Sequence, residues 1–240
     1  MRCATLALAQ MVAERYAMIP LYDDNPTRRI PWTTWFLVAA NIAAFVYELS
    51  LPAEELTRVL TTNGFLPSRF FTNPADPAQL LTLVTAQFLH AGWLHLLGNL
   101  LYLWIFGNNV EDRFGHWRFA LFYVMAGAVA AMAHGATDPA SSVPVVGASG
   151  AIAGVLGAYA LLYPRARVVS LIPIVFFFEL AAIPALFVIV FWFALQLAQG
   201  LGALGSATAG VAWWAHIAGF LFGIVVTAPV AALDRIRARA

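Results

Sequence analysis

Long apolar stretches separated by short polar breaks dominate this chain. Runs of roughly 17 to 25 apolar residues read as membrane-spanning helices. The pattern predicts six: about 32–51, 93–110, 117–134, 147–163, 184–200 and 211–232. Residues 168–183, VVSLIPIVFFFELAAI, are apolar but fit a span poorly. Pro173 interrupts them, their Val, Ile and Phe content favours strand, and Pro184 suits the first turn of a helix. The segment is therefore read as interfacial, leading into the fifth span; one longer fifth span is the alternative, and it would bury Glu179 in the bilayer at a cost. The stretch 52–92 is long for a loop in a compact bundle, and such loops tend to be functional. Its pieces LTRVL, PSRFF and LLTLVTAQFL are amphipathic and suit the outer leaflet. The expected fold class is an all-α membrane protein: an N-terminal segment at 1–30, a six-helix transmembrane domain at 31–233, and a basic tail at 234–240.

Composition agrees with a lipid environment. The chain is 62% hydrophobic and 10% charged, against about half and about a quarter in soluble domains. With a net charge of +1 and no clustered basic face, there is no footprint for nucleic acid. A lone cysteine, Cys3, excludes a disulfide framework and a cysteine-rich metal site. All basic residues are arginine, and their placement orients the spans. One side holds Arg28, Arg29, Arg113, Arg118, Arg165, Arg167, Arg235, Arg237 and Arg239; the other holds only Arg58 and Arg69. The positive-inside rule puts both termini in the cytoplasm. Residues 1–17 are read as no signal peptide, because the apolar run before Glu14 is too short, and Met18 is an alternative start.

Within the spans the polar groups are few. Spans two, four and six run in one direction and carry His95 and Asn99, Ser149, and His216 in their first parts. At about 1.5 Å of rise per residue, these groups fall in one layer in the outer half of the bilayer. Ser149, Ala153 and Gly157 form a small-residue stripe on span four; His216, Gly219 and Gly223 form one on span six. Such stripes let membrane helices approach closely, which would bring the His216 ring to the Ser149 hydroxyl. Gly150-x-x-x-Gly154 and Gly219-x-x-x-Gly223 are also ordinary packing motifs. An ionisable group inside a span is a functional candidate by default, so His216 weighs more than Ser149 taken alone. His90 is read as tying down the loop, His116 as inert and interfacial, His134 as without a role, and Trp213 and Trp214 as an aromatic belt.

A serine becomes a nucleophile when a base takes its proton, and His216 is the candidate base. Glu111 and Asp112 lie at the far end of span two and Asp138 in an outer loop, so the reading puts no carboxylate at this depth and the pair is a dyad. The first N–H groups of span four lack intrahelical partners and its dipole favours negative charge. His95 and Asn99, one turn apart, add side-chain donors for an oxyanion.

Four pieces, HAGWLHLLGN (His90, His95, Asn99), FGNNVEDRFG (Glu111, Arg113, Gly115), GASG (Gly147 to Gly150) and AHIAGFLFG (His216, Gly219, Gly223), stand in order on these spans. In them the chain resembles the rhomboid intramembrane serine proteases from about residue 18 to 232. The resemblance implies a six-helix rhomboid-like bundle with a long outer first loop. It also implies hydrolysis of a peptide bond in or near a substrate's transmembrane helix, with Ser149 as nucleophile, His216 as base, and His95 and Asn99 at the oxyanion. It implies no cofactor and no metal, and transmembrane-helix substrates that enter beside span five. The chain is expected to act as a monomer in a cell membrane, of the bacterial inner-membrane kind. Two features depart from the pattern: the first loop has Pro67-Ser68-Arg69-Phe70 in place of a Trp-Arg pair, and Ala153 stands where some members stack a tyrosine on the histidine. Two other readings stay open: an inactive relative that binds membrane helices, and a metal site or transport path through His90, His95 and His216, for which no H-E-x-x-H motif is present. The topology is checked by cysteine scanning in intact cells: Ala166→Cys and Arg237→Cys should resist an impermeant reagent added from outside, and labelling of either would overturn the map.

Overall fold

The computed structural model describes residues 19–174, 177–202 and 212–237. The readings of residues 1–17, of the starting methionine and of the final residues of the tail lie outside them. The described chain opens with a strand, β1 (Ile19–Asp23), and a long helix, α1 (Trp32–Ser50). The segment read as a loop holds three short helices, α2 (Ala53–Asn63), α3 (Pro67–Thr72) and α4 (Pro77–Thr85), and a 3-10 turn at Ala86–Phe88. Next come α5 (Trp93–Tyr102), a π-helical turn at Leu103–Gly107, α6 (Asn108–Phe114) and α7 (His116–Gly135). The rest is α8 (Ser149–Leu162), β2 (Arg167–Ile174), β3 (Phe177–Pro184), α9 (Ala185–Gly202) and α10 (Trp213–Arg237).

Among the described residues, three helices are long and apolar enough to cross a membrane: Trp32–Ser50, His116–Gly135 and Trp213–Asp234. Pro77–Phe88 and Trp93–Phe114, bent by 85° at the break between them, make a fourth at most. The apolar helices Ser149–Leu162 and Ala185–Ala198 are shorter; a helix of 14 residues rises only about 21 Å. By length, then, three or four of the six predicted spans are accounted for.

Helix α8 stands at the centre. Every residue from Gly150 to Ala160 is buried, as expected of a helix that is apolar on all sides. Its small residues admit neighbours on two sides. A side chain at Gly150 or Gly154 would meet Ala130 or Ala126 of α7 at 2.6 Å. A side chain at Gly219 or Gly223 of α10 would run into the carbonyl oxygen of Gly150 or Gly154.

The expectation of an all-α chain is corrected at residues 167–174 and 177–184. They form two antiparallel strands, and β1 adds to β2 to complete a three-stranded sheet in the order β1-β2-β3. The β-branched and aromatic residues that marked the segment as a poor span are those that suit strands. Pairing with a hairpin partner satisfies backbone groups that an unpaired interfacial segment would leave open. Glu179 faces Ile172 across the ladder, and Pro184 ends β3 rather than starting α9.

The first loop has its own anchors. Phe65 pairs with Val145 through N–H to O distances of 3.1 and 2.8 Å, and Ser68 N–H reaches Ser141 O at 3.0 Å. Phe65, Phe70, Leu83, Ala86 and Ala131 pack together beneath it. Arg69 turns to the Thr61 carbonyl at 3.1 Å. At the other end of the bundle, the Glu111 carboxylate accepts the Thr33 and Thr34 N–H groups at 2.8 and 2.7 Å and the Thr34 hydroxyl at 2.7 Å. His116 Nδ1 also lies 2.5 Å from Glu111, so this histidine is not inert but completes the clasp. Arg113 holds Asp234 of α10 with 2.9 and 2.5 Å contacts.

Strand β1 is tied to the foot of α8. The Asp23 carboxylate accepts Tyr159 Oη–H at 2.5 Å and Asn109 Nδ2–H at 2.8 Å. Burial pushes the Asp23 carboxyl up from 3.8 to about 6; the Tyr159 hydroxyl opposes the rise and the charge of Asp24 adds to it. The folded chain therefore holds this proton more tightly than the unfolded chain does. Its contribution to stability is complete below about pH 3.8 and is lost as pH rises through about 6. Thermal unfolding in detergent between these limits should show that fall, and Asp23→Asn should flatten it; equal slopes for both chains would refute the assignment.

Candidate active site

Ser149 is the first residue of α8. The chain reaches it through Gly147, whose φ of +119° belongs to the region that L side chains avoid. Space forbids a side chain there too: a Cβ would lie 2.5 Å from His95 Cε1, 2.6 Å from His95 Nε2 and 3.7 Å from Asn99 Nδ2. Gly147 N–H is fixed to Ala86 O at 2.8 Å. The turn thus lets His95 and Asn99 of α5 close on the backbone two residues before Ser149.

From the other side comes α10. His216 is buried, and its Nε2 stands 2.7 Å from Ser149 Oγ. Its Nδ1 stands 2.6 Å from Gln196 Oε1 on α9. An amide oxygen only accepts, so the ring proton is on Nδ1 and Nε2 is free to take the serine proton. The Trp192 ring, centred 5.9 Å away at 39°, and the Trp213 ring, 6.1 Å away at 84°, flank the imidazole. These contacts answer how the ring is held where Ala153 offers nothing to stack on it.

His90 and Asn99 form a second chain of bonds. His90 Nδ1 lies 3.2 Å from the Phe88 carbonyl, which only accepts, so this nitrogen donates. His90 Nε2 then accepts from Asn99 Nδ2 at 3.0 Å, which leaves the amide one further hydrogen for the site. The His90 ring stands 5.2 Å from that of His95. The expectation of no carboxylate at this depth is corrected by Glu48, the buried acid near the end of α1. It accepts the His90 N–H at 3.1 and 3.3 Å, not a ring nitrogen of His216. Asp138 is exposed in the loop after α7 and does not join the site.

The structure therefore brings Ser149, His216, His95, Asn99, His90 and Gly147 to one end of the bundle. Gly150, Ala153, Gly219 and Gly223 lie along the seam below, with Gly157 against the Phe220 carbonyl. A cavity of about 20 Å³, lined by Ser149, Gly147, Gly150, Gln87 and Gly127 among others, adjoins the serine; that is room for about one water molecule. Among the described residues, no group of three or more His, Cys, Asp or Glu could hold a metal ion. Sequence reasoning missed Gln196 and Glu48. The signal was available for both: each is a polar residue in a largely apolar helix.

Comparison with known proteins places the site in context. The model for the Rhomboid domain matches residues 77–232. RHOMBOID-like protein 5 of Arabidopsis thaliana is 29% identical over 161 residues, 56% of this chain and 52% of its own. Presenilin-associated rhomboid-like protein A, mitochondrial, of Danio rerio is 31% identical over 170 residues, 70% of this chain and 42% of its own. Rhomboid protease GluP of Bacillus subtilis (strain 168) is 36% identical over 168 residues, 67% of this chain and 31% of its own. The chain spans about half or less of the length of these relatives.

The seam sets the distance between serine and histidine. In Gly219→Val the new side chain would meet the Gly150 carbonyl and Ala153 Cβ. Overpacking of this kind costs about 1–3 kcal/mol, so the variant should still fold, with a lowered melting temperature. Its reaction with a fluorophosphonate serine probe should nonetheless fall steeply; labelling at the wild-type rate would show that this contact does not set the geometry.

Proposed function

Because the chain belongs to the rhomboid family of membrane proteins, we propose that it is an intramembrane serine endopeptidase acting through a Ser149–His216 dyad. The observation that carries this reading is the 2.7 Å approach of His216 Nε2 to Ser149 Oγ, with the Gln196 amide oxygen 2.6 Å from Nδ1 of the same ring. Ser149 Oγ attacks the scissile carbonyl as His216 takes its proton; His216 then returns that proton to the leaving amine, and water cleaves the acyl-enzyme. The tetrahedral oxyanion forms beside the Ser149 N–H, at the positive end of α8. His95 and Asn99, gathered at Gly147, supply further donors.

The substrates are the transmembrane segments of other membrane proteins, and the chain works as a monomer. The six segments α1, α5–α6, α7, α8, α9 and α10 cross the bilayer, with the short α8 beginning below the surface. The unequal distribution of arginine supports both termini in the cytoplasm, in a bacterial inner membrane. An inactive helix-binding protein would have no need of a serine and histidine held at this distance.

Turnover of a model transmembrane substrate tests the reading. Ser149→Ala and His216→Ala should each abolish it, and the double variant should be no worse, because members of one catalytic unit are not additive. Asn99→Ala should be slow rather than dead: losing one oxyanion donor costs on the order of 3–4 kcal/mol. Its loss should fall on kcat, and it should still label with a fluorophosphonate, which Ser149→Ala should not. Full turnover by Ser149→Ala, or its abolition by a chelator, would sink the proposal.

A further inference from the structure

Helix α9 is apolar along most of its length, and its outward residues Phe187, Val190 and Phe191 are exposed. Gln196 points the other way and is buried, at 8% exposure. A buried amide without a partner is costly, and its oxygen finds one in His216 Nδ1 at 2.6 Å. Trp192, one turn earlier on the same face, lies beside the same imidazole. Phe193 stacks on Phe220 of α10 with ring centres 4.4 Å apart. Helix α9 thus grips α10 at the catalytic ring and one turn beyond it.

The direction of the Gln196 bond has a chemical consequence. A neutral imidazole carries one ring proton, on either nitrogen. With the proton on Nε2, the ring could not accept from Ser149. The acceptor at Nδ1 selects the other tautomer and aims the Nε2 lone pair at Ser149 Oγ, 2.7 Å away. We propose that Gln196 is a positioning residue of the active site, a neutral third member that sets the tautomer and orientation of His216. The proposal rests on the reading of Ser149 and His216 as the catalytic pair.

The test compares Gln196→Met, which keeps the length of the side chain but offers only a weak acceptor, with Gln196→Glu, which keeps the oxygen. Gln196→Met should lose about 10- to 100-fold in kcat with KM unchanged, no more than the lower end of the roughly 100- to 10,000-fold that general-base catalysis supplies. Gln196→Glu should recover most of it. Equal losses in both, wild-type kcat in Gln196→Met, or a loss confined to KM would overturn the proposal. Nitrogen-15 NMR of the wild-type protein with labelled histidine gives a readout independent of folding in the variants: His216 should carry its proton on Nδ1, and a proton on Nε2 would overturn the assignment. Ser149→Ala and His216→Ala measured alongside keep the two questions apart. If both are inactive while Gln196→Met is normal, Gln196 alone has been misread; if Ser149→Ala is active, the dyad itself has.

Discussion

Two helices stand backbone to backbone where Gly219 meets the Gly150 carbonyl and Gly223 meets the Gly154 carbonyl. In lipid there is little hydrophobic drive to press helices together, so close packing of small residues must supply much of the attraction. That contact does more than hold α8 to α10. It fixes the height and rotation of His216 relative to Ser149, because both lie within one turn of the glycines that touch. The remaining elements add to this frame: Ala130 and Ala126 of α7 fill the other face of α8, α5 is brought against Gly147, and α9 closes on the imidazole. A polar site of this kind is possible in an apolar bundle because each helix contributes only one or two polar side chains, and those reach one another.

Much of this frame was legible in the sequence. Apolar runs located the long helices to within a few residues, and the small-residue spacings marked the faces that α8 and α10 turn toward each other. The sheet was only half legible. The composition of 168–183 spoke for strand, but its partner β1 lies some 150 residues earlier, and a pairing at that distance leaves no periodic trace. The short helices α2 to α4 were hidden for a different reason: each is one to three turns long, and their positions depend on contacts such as Phe65 with Val145 rather than on propensity.

The polar contacts divide in the same way. Ser149, His216, His95 and Asn99 announced themselves as rare groups at a common level in parallel segments. Gln196 and Glu48 were equally rare, yet gave no sign of their partners, because α9 and α1 run in the opposite sense and their depths had to be judged from the far end. Glu48 illustrates the risk of inferring a role from residue type. It supplies the carboxylate that the sequence reading did not expect, but it is used on the His90 backbone, where it secures the bend between α4 and α5 and leaves the His216 ring to a neutral amide.

The pairing of Ser149 with His216 spans 67 positions of the chain, and those positions are made in order. At translation rates of about 5–20 residues per second, the histidine is polymerised roughly 3 to 13 seconds after the serine. Throughout that interval α8 is without α10, so neither the base nor the seam that aims it is in place. On the proposed reading, a nascent chain passing through the insertion machinery among other half-made membrane helices carries a serine with no proton acceptor. On that reading the place of the histidine on α10, behind the serine on α8, acts as a timer: hydrolytic competence arrives only once α10 has been made.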